Sequence, residues 1–299
     1  MRNLMVAGIA TCVAAGVLSA QDAKKHELLY RWDQLDGKTA VYDTQLDALV
    51  ITGRKSTTEQ TDDKNAIDPA DTKTEIVTAT KQRLTMTFKT GDGGRGLVTV
   101  KNVRVQQTLT QKMLGETRQV SYDSDNPPAN TKEQNWDKLR GFDKPYTLTV
   151  SRRGVVEKVE GRPSSELPQL KKTFLLFPDV ACTESQSWNE VRRIPTPPLG
   201  DIVERFQFRL ASVNEKDERR IEQRVETELD DKGSRVSQGT VVRIEKPVGR
   251  GFVAFDARGL RLEAKTEQGY ELYVKQFSEG LEQRTKISET MTWKLVELK

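Results

Sequence analysis

Apolar and polar residues alternate through most of this chain, and that period of two limits the fold more than any other feature. The stretch QRLTMTF places Leu84, Met86 and Phe88 on one side and Arg83, Thr85 and Thr87 on the other. ERFQFRLASV aligns Phe206, Phe208 and Leu210, and RRIEQRVETEL aligns Ile221, Val225 and Leu229. TKISETMTWKL aligns Ile287, Met291, Trp293 and Leu295. Side chains of a strand point alternately to opposite faces, so these runs predict antiparallel strands with one buried and one wet face. Helical spacing occurs at SSELPQLKKTFLLF, where Ser164 or Ser165 can cap a helix and Leu167, Leu170 and Phe174 can share a face. The predicted fold is mainly β: long curved antiparallel strands in two similar halves, half-barrel or sandwich-like, with one short helix near 165–174.

The turn signals agree with that reading. Asp36–Lys38, Gly91–Gly96, Arg152–Gly154, Asp230–Gly233 and Ala257–Gly259 each contain glycine and lie between alternating runs. Glycine supplies the positive φ that tight connections need. Two units match each other: YTLTVSRRGVVEKVEG at 146–161 and FVAFDARGLRLEAKTE at 252–267. Each is an alternating run, an Arg-Gly turn and a second run that ends acidic, and each follows several long strands, which start at LLYRWDQL (Leu28–Leu35) in the first half and at DIVERFQFRL (Asp201–Leu210) in the second. The chain is therefore divided into a first β half at 21–161, a short helix and proline-rich crossing at 162–199, and a second β half at 200–299. Two polar segments, Thr52–Glu75 and Tyr122–Pro145, read as long loops.

Residues 1–20 read as a signal peptide. Arg2 precedes an uncharged run from Leu4 to Leu18, and Ser19-Ala20 offers a cleavage point before Gln21. Export to the periplasm or the extracellular space is the expectation. No later run approaches the ~18 apolar residues of a membrane span, so none is expected after cleavage. The 48 Lys+Arg and 44 Asp+Glu are interleaved rather than blocked, which gives no nucleic-acid footprint. Cys12 falls within the signal, leaving Cys182 without a disulfide partner; between Phe177 and Trp188 it reads as a buried, unreactive thiol.

Several chemistries lack their residues. His26 is the one histidine, it lies close to the expected cleavage point, and it reads as solvated. No zinc site of several His or Cys ligands can be built. GDGGRG lacks the Gly-Lys-Ser/Thr ending of a phosphate loop, and the strand-like LVTV follows it. The acidic stretches Thr61–Asp71 and Asp123–Pro128 lack the spacing of a calcium loop. No cofactor and no metal are expected. Three readings of function stay open: a non-catalytic envelope protein that binds a lipid or other apolar ligand between its sheets, a self-packed structural or protein-interaction module with an envelope partner, and, well behind, a carboxylate-dependent hydrolase. Under the first, Met86, Phe88, Phe206, Phe208, Met291 and Trp293 are the candidate lining, because they are the bulky members of the inward rows.

The stretches ELLYRWDQLDGKTAVYDTQ, KPYTLTVSRRGVVEKVEG, FLLFPDVACTESQSW and GFVAFDARGLRLEAKTE together resemble a family of exported bacterial β proteins to which no activity is assigned. The resemblance spans most of the chain beyond residue 20. It departs at the crossing, where Ser185-Gln186 stands in place of the Gly-Asp expected before Ser187-Trp188. It implies an exported β fold. More distantly, the architecture is similar to the half-barrel carriers of lipoproteins and lipids in the bacterial envelope, an analogy of fold alone.

Overall fold

The computed structural model describes residues 24–56, 73–127, 144–163, 166–196, 200–230, 234–237, 239–277 and 280–299. The expected signal peptide and its cleavage point lie outside them, as do the centres of the two polar loops. The described residues form one antiparallel sheet of thirteen strands. The first half supplies β1 (Thr39–Ser56), β2 (Thr74–Thr90), β3 (Gly96–Met113), β4 (Glu116–Asp123), β5 (Tyr146–Val150) and β6 (Val156–Glu160). The second supplies β7 (Ser187–Thr196), β8 (Gly200–Val213), β9 (Arg219–Leu229), β10 (Ser234–Ser237), β11 (Thr240–Phe255), β12 (Arg261–Gln276) and β13 (Leu281–Leu298). The sequence-predicted crossing thus contributes β7, whose backbone pairs with β8 from Ser187↔Arg209 to Thr196↔Gly200.

The order of strands is β6-β5-β3-β2-β1-β13-β12-β11-β9-β8-β7, with β4 on β3 and β10 on β11. The first half meanders outward from the centre to β6, and the second meanders inward from β7 to the centre. The two ends of the chain's sheet are zipped by β1 and β13, from Ala40↔Leu298 to Ser56↔Leu281. The outer edges are β6 and β7, and the chain must cross between them. Laid flat, ten inter-strand steps span about 48 Å. The crossing instead runs over the concave face of a curled sheet, so Phe174, Leu175 and Phe177 are buried in the core. The same core joins Leu148 and Val150 of β5 to Phe206 and Phe208 of β8, residues near opposite edges. Both edges carry charges, Glu157, Lys158 and Glu160 on β6 and Glu190 and Arg193 on β7, which discourage pairing with another chain.

The crossing holds the expected short helix as a single turn, α2 (Leu167–Leu170), continued by a 3-10 turn at Lys171–Thr173. A further single turn, α1 (Trp32–Leu35), forms where the alternation of Leu28, Tyr30 and Trp32 predicts a strand. Residues 24–31 are extended but join no sheet ladder. They form a strap across the end of the sheet, and its hydrogen bonds explain the two matching units. The Tyr30 N–H donates to the Arg152 carbonyl at 2.7 Å, and the Arg31 N–H donates to the Arg258 carbonyl at 2.9 Å. The strap therefore binds the β5–β6 turn and the β11–β12 turn at neighbouring residues.

Both turns share one design. Ser151 N–H donates to Val155 O at 2.9 Å, and Gly154 N–H donates back to Ser151 O at 3.1 Å; Asp256, Leu260 and Gly259 repeat these bonds at 3.0 and 3.0 Å. The Ser151 Oγ accepts from Val155 N–H at 3.1 Å and the Asp256 carboxylate from Leu260 N–H at 2.9 Å. The β8–β9 turn has the same pattern, with Asn214 in the leading position and Asp217 in place of the glycine at φ +58°. Glycine matters at the first two because the strap packs on them. A Cβ at Gly154 (φ +88°) would run into the Leu175 carbonyl and, at 2.8 Å, the Tyr30 ring; one at Gly259 (φ +82°) would sit 2.7 Å from the Leu29 carbonyl.

Candidate functional site

The inner face is read from register. Tyr42 of β1 faces Leu84 of β2 and Leu295 of β13; Leu46 faces Met291, and Trp293 faces Ala264 of β12. The inward rows predicted from alternation are inward: Leu84, Met86, Phe88, Phe206, Phe208, Ile221 and Val225 are buried, and Met291 and Trp293 are half-buried.

This face is filled unevenly. At the turn end, Tyr30 stacks on Trp32 with ring centroids 5.0 Å apart and meets Phe177 at 4.7 Å, while Trp32 reaches Phe88 at 6.2 Å. The Tyr30 hydroxyl donates to the Leu175 carbonyl at 3.2 Å and accepts from the Leu175 N–H at 3.1 Å. Burial pushes the Tyr30 and Tyr42 hydroxyls well above the ordinary phenol range, with Arg261 opposing the shift. The gap left among Trp32, Met86, Phe88 and Phe174 is about 20 Å³. Further along the strands lies a cavity of about 250 Å³, bounded by β1, β7, β8, β9, β11, β12, β13 and the crossing. Phe206, Phe208, Met291 and Trp293 line it, together with Leu46, Val253 and Ala264. The structure thus brings four of the six candidate residues to one cavity and places Met86 and Phe88 at the packed end.

The cavity also contains charge that the alternation assigned to no site. Glu204 is in phase with Phe206 and Phe208 on β8 and is 3% exposed. Its Oε1 accepts from Lys172 Nζ of the 3-10 turn at 2.8 Å, and its Oε2 is buried without a partner. Arg192 of β7 stands opposite Glu204 in the ladder, lies over the Phe206 ring at 4.6 Å and donates to the Phe174 carbonyl at 3.4 Å. Arg261, at the start of β12, lies over Trp293 at 4.6 Å and donates to the Thr173 carbonyl at 2.5 Å. The Nε of each arginine is buried and has no partner among the described residues. Burial draws both guanidinium groups below their ordinary range. An inward parity at Glu204 and Arg192 was the available signal in the sequence; for Arg261, just past a turn and a bulge, there was none.

His26 and Cys182 meet in a way the sequence did not suggest. They form an isolated antiparallel bridge, with backbone hydrogen bonds of 2.7 and 2.9 Å, and His26 is buried rather than solvated because the strap tucks it under the crossing. Cys182 is 1% exposed, donates to the Val180 carbonyl at 3.7 Å, and has its thiol pushed up by burial. That is the opposite of an activated nucleophile. Among the described residues no three His, Cys, Asp or Glu side chains cluster to hold a metal ion. Asp123 is engaged by Arg104 at 2.7 Å and Gln106 at 2.8 Å. No described helix is long and apolar enough to cross a membrane.

Fold and cavity together define the class: an open, curled antiparallel sheet whose crossing segment covers a mostly apolar cavity that opens to solvent. No family model matches the chain, and no curated protein matches it. Among solved structures, the β domain of the Bordetella autotransporter BrkA is aligned over 85% of this chain and 98% of its own, at 10% identity and a TM-score of 0.14. A score that low carries no argument about fold or function.

Proposed function

We propose that this chain is a non-catalytic, exported envelope protein that holds a lipid or other apolar ligand in the cavity under its crossing segment. The observation that carries this reading is the contrast within one interior: about 20 Å³ of free space at the turn end against about 250 Å³ beside Phe206, Met291 and Trp293. Protein interiors pack to crystal-like density, so this solvent-connected space among inward-facing side chains is one that the chain itself leaves unfilled. A cavity whose walls are mostly apolar, with a small number of placed polar groups, has the make-up of a small-molecule site. Export rests on the uncharged run between Arg2 and Ala20. The self-packed interaction module is the second reading, and the densely filled turn end is what favours it.

Native mass spectrometry of protein purified from its own envelope, followed by solvent extraction, tests the proposal. The expected result is a co-purifying apolar molecule that is lost from a folded Met291→Trp variant, whose indole fills the cavity. Protein that leaves the envelope ligand-free, or that keeps its ligand in that variant, would overturn it.

A further inference from the structure

We infer that the ligand is a single-chain amphiphile with a compact anionic head, seated against Arg261 and Arg192. This rests on the ligand-binding reading above and adds to it the chemistry of the head. The cavity lining contains three cations, Lys172, Arg192 and Arg261, and two carboxylates, Glu204 and Glu289. Lys172 and Glu204 are paired at 2.8 Å. Glu289 is approached by the Gln268 amide at 3.5 Å. Arg192 stands opposite Glu204 and feels the Glu204 and Glu190 carboxylates, while its hydrogen bond goes to the Phe174 carbonyl. Arg261 makes no ion pair among the described residues; the groups that act on it electrostatically are the Tyr30 and Tyr42 hydroxyls, which burial keeps neutral.

A buried cation without a countercharge is costly, and an unpaired buried donor adds to that cost. Here two guanidinium groups reach one cavity from different strands. Each is oriented by a carbonyl of the crossing, Thr173 or Phe174, and steadied over a ring, Trp293 or Phe206. Each leaves a buried N–H free. Charge-assisted bonds from guanidinium to carboxylate or phosphate oxygens are the strong ones, so a head with such oxygens supplies the charge that Arg261 lacks and an acceptor for both arginines. The tail has Phe208, Val253 and Met291 to lie against. A dry cavity of about 150 Å³ already admits benzene. One of about 250 Å³ has room for one chain of medium length.

Decanoate, decyl phosphate, decanol and decyltrimethylammonium, each titrated calorimetrically into the ligand-stripped protein, separate the possibilities. The two anions are expected to bind, and decanol about tenfold or more weakly, with the cation weaker still. Arg261→Met is expected to reduce decanoate to the level of decanol while leaving decanol unchanged. Glu204→Gln, which removes a negative charge from the wall, is expected to strengthen decanoate. If Arg261→Met does not fold, Arg192→Met gives the same readout. Stronger binding of decanoate than decyl phosphate, or the reverse, tells a carboxylate head from a phosphate one, and both support the inference. Decanol binding as tightly as decanoate would overturn the anionic head and leave the apolar cavity reading standing. Binding of none of the four would overturn both.

Discussion

At the turn end of the sheet, β1, β2 and β11 present Ala40, Tyr42, Met86 and Phe255 to a core in which every one of them is at most 4% exposed. A few residues along, the same face carries Leu46, Gln268 and Met291, which are half-buried around a cavity. The strands are continuous between these regions, so strand propensity cannot make the difference. What differs is the covering. The turn end has two hairpin turns of one design drawn onto the strap, with the aromatics of Tyr30 and Trp32 filling the space beneath. The other region has only the crossing above it, and two arginines reach into the interior. A curled sheet needs something on its concave face, and here the chain supplies a complete plug at one end and an incomplete one further along.

The largest effect expected from breaking this contrast is at the strap. Gly154→Ala and Gly259→Ala should each destabilise by roughly 3–5 kcal/mol, the sum of a left-handed backbone cost and overpacking against the strap. Gly37 has φ +72° but nothing within 4 Å of a Cβ, so Gly37→Ala is the control. It should cost only about 1–2 kcal/mol. Equal losses at all three positions in denaturant titrations would mean that backbone conformation alone, not strap packing, fixes the turn end.

Truncating one methionine in each region gives a smaller and more discriminating pair. Met86→Ala, in the filled end, should cost about 2–5 kcal/mol, because it leaves a new void. Met291→Ala is half-exposed beside existing free space and should cost no more than about 1.5 kcal/mol. Thermal unfolding of the two variants checks the order; a reversal would place the packing defect at the wrong end.

Alkaline pH probes the filled end most gently. Tyr30 and Tyr42 have folded-state values raised by burial, so the neutral form is favoured in the fold. Their contribution is fully present below the unfolded value of about 10 and is lost as pH rises towards the raised folded values, at about 1.4 kcal/mol per tyrosine per pH unit. Ultraviolet titration should show part of the phenolate absorbance appearing only as tertiary structure is lost. All six tyrosines ionising reversibly in the folded protein would contradict the packing described for Tyr30 and Tyr42.

Much of the inner face was legible because alternation reports burial directly. Leu84, Met86, Phe88, Phe206 and Phe208 fall where their parity puts them, and Gly154 and Gly259 mark turns. The strap was misread for the same reason that the strands were read: Leu28, Tyr30 and Trp32 alternate like a strand, although their hydrogen bonds go to turns and Trp32 starts a helical turn. Strand order was not legible, since nothing local distinguishes an outward meander from an inward one or requires β1 to pair with β13. The charged part of the cavity was missed because charges in alternating runs were assigned to the solvated face. Arg192 and Glu204 carry inward parity and contradicted that rule. Arg261 finds its partners only through the fold, in a crossing residue 88 positions away.

The most direct measurement of the contrast between the two ends uses their own indoles. Trp32 lies in the filled end against Tyr30, and Trp293 lines the cavity under Arg261. 2-Bromodecanoate, whose heavy atom sits beside the carboxylate head and quenches only tryptophans it touches, is titrated while fluorescence is recorded. The expected result is saturable quenching that is largely lost in Trp293→Phe and retained in Trp32→Phe. No saturable quenching, or quenching that survives Trp293→Phe unchanged, would contradict a ligand cavity at this end of the sheet.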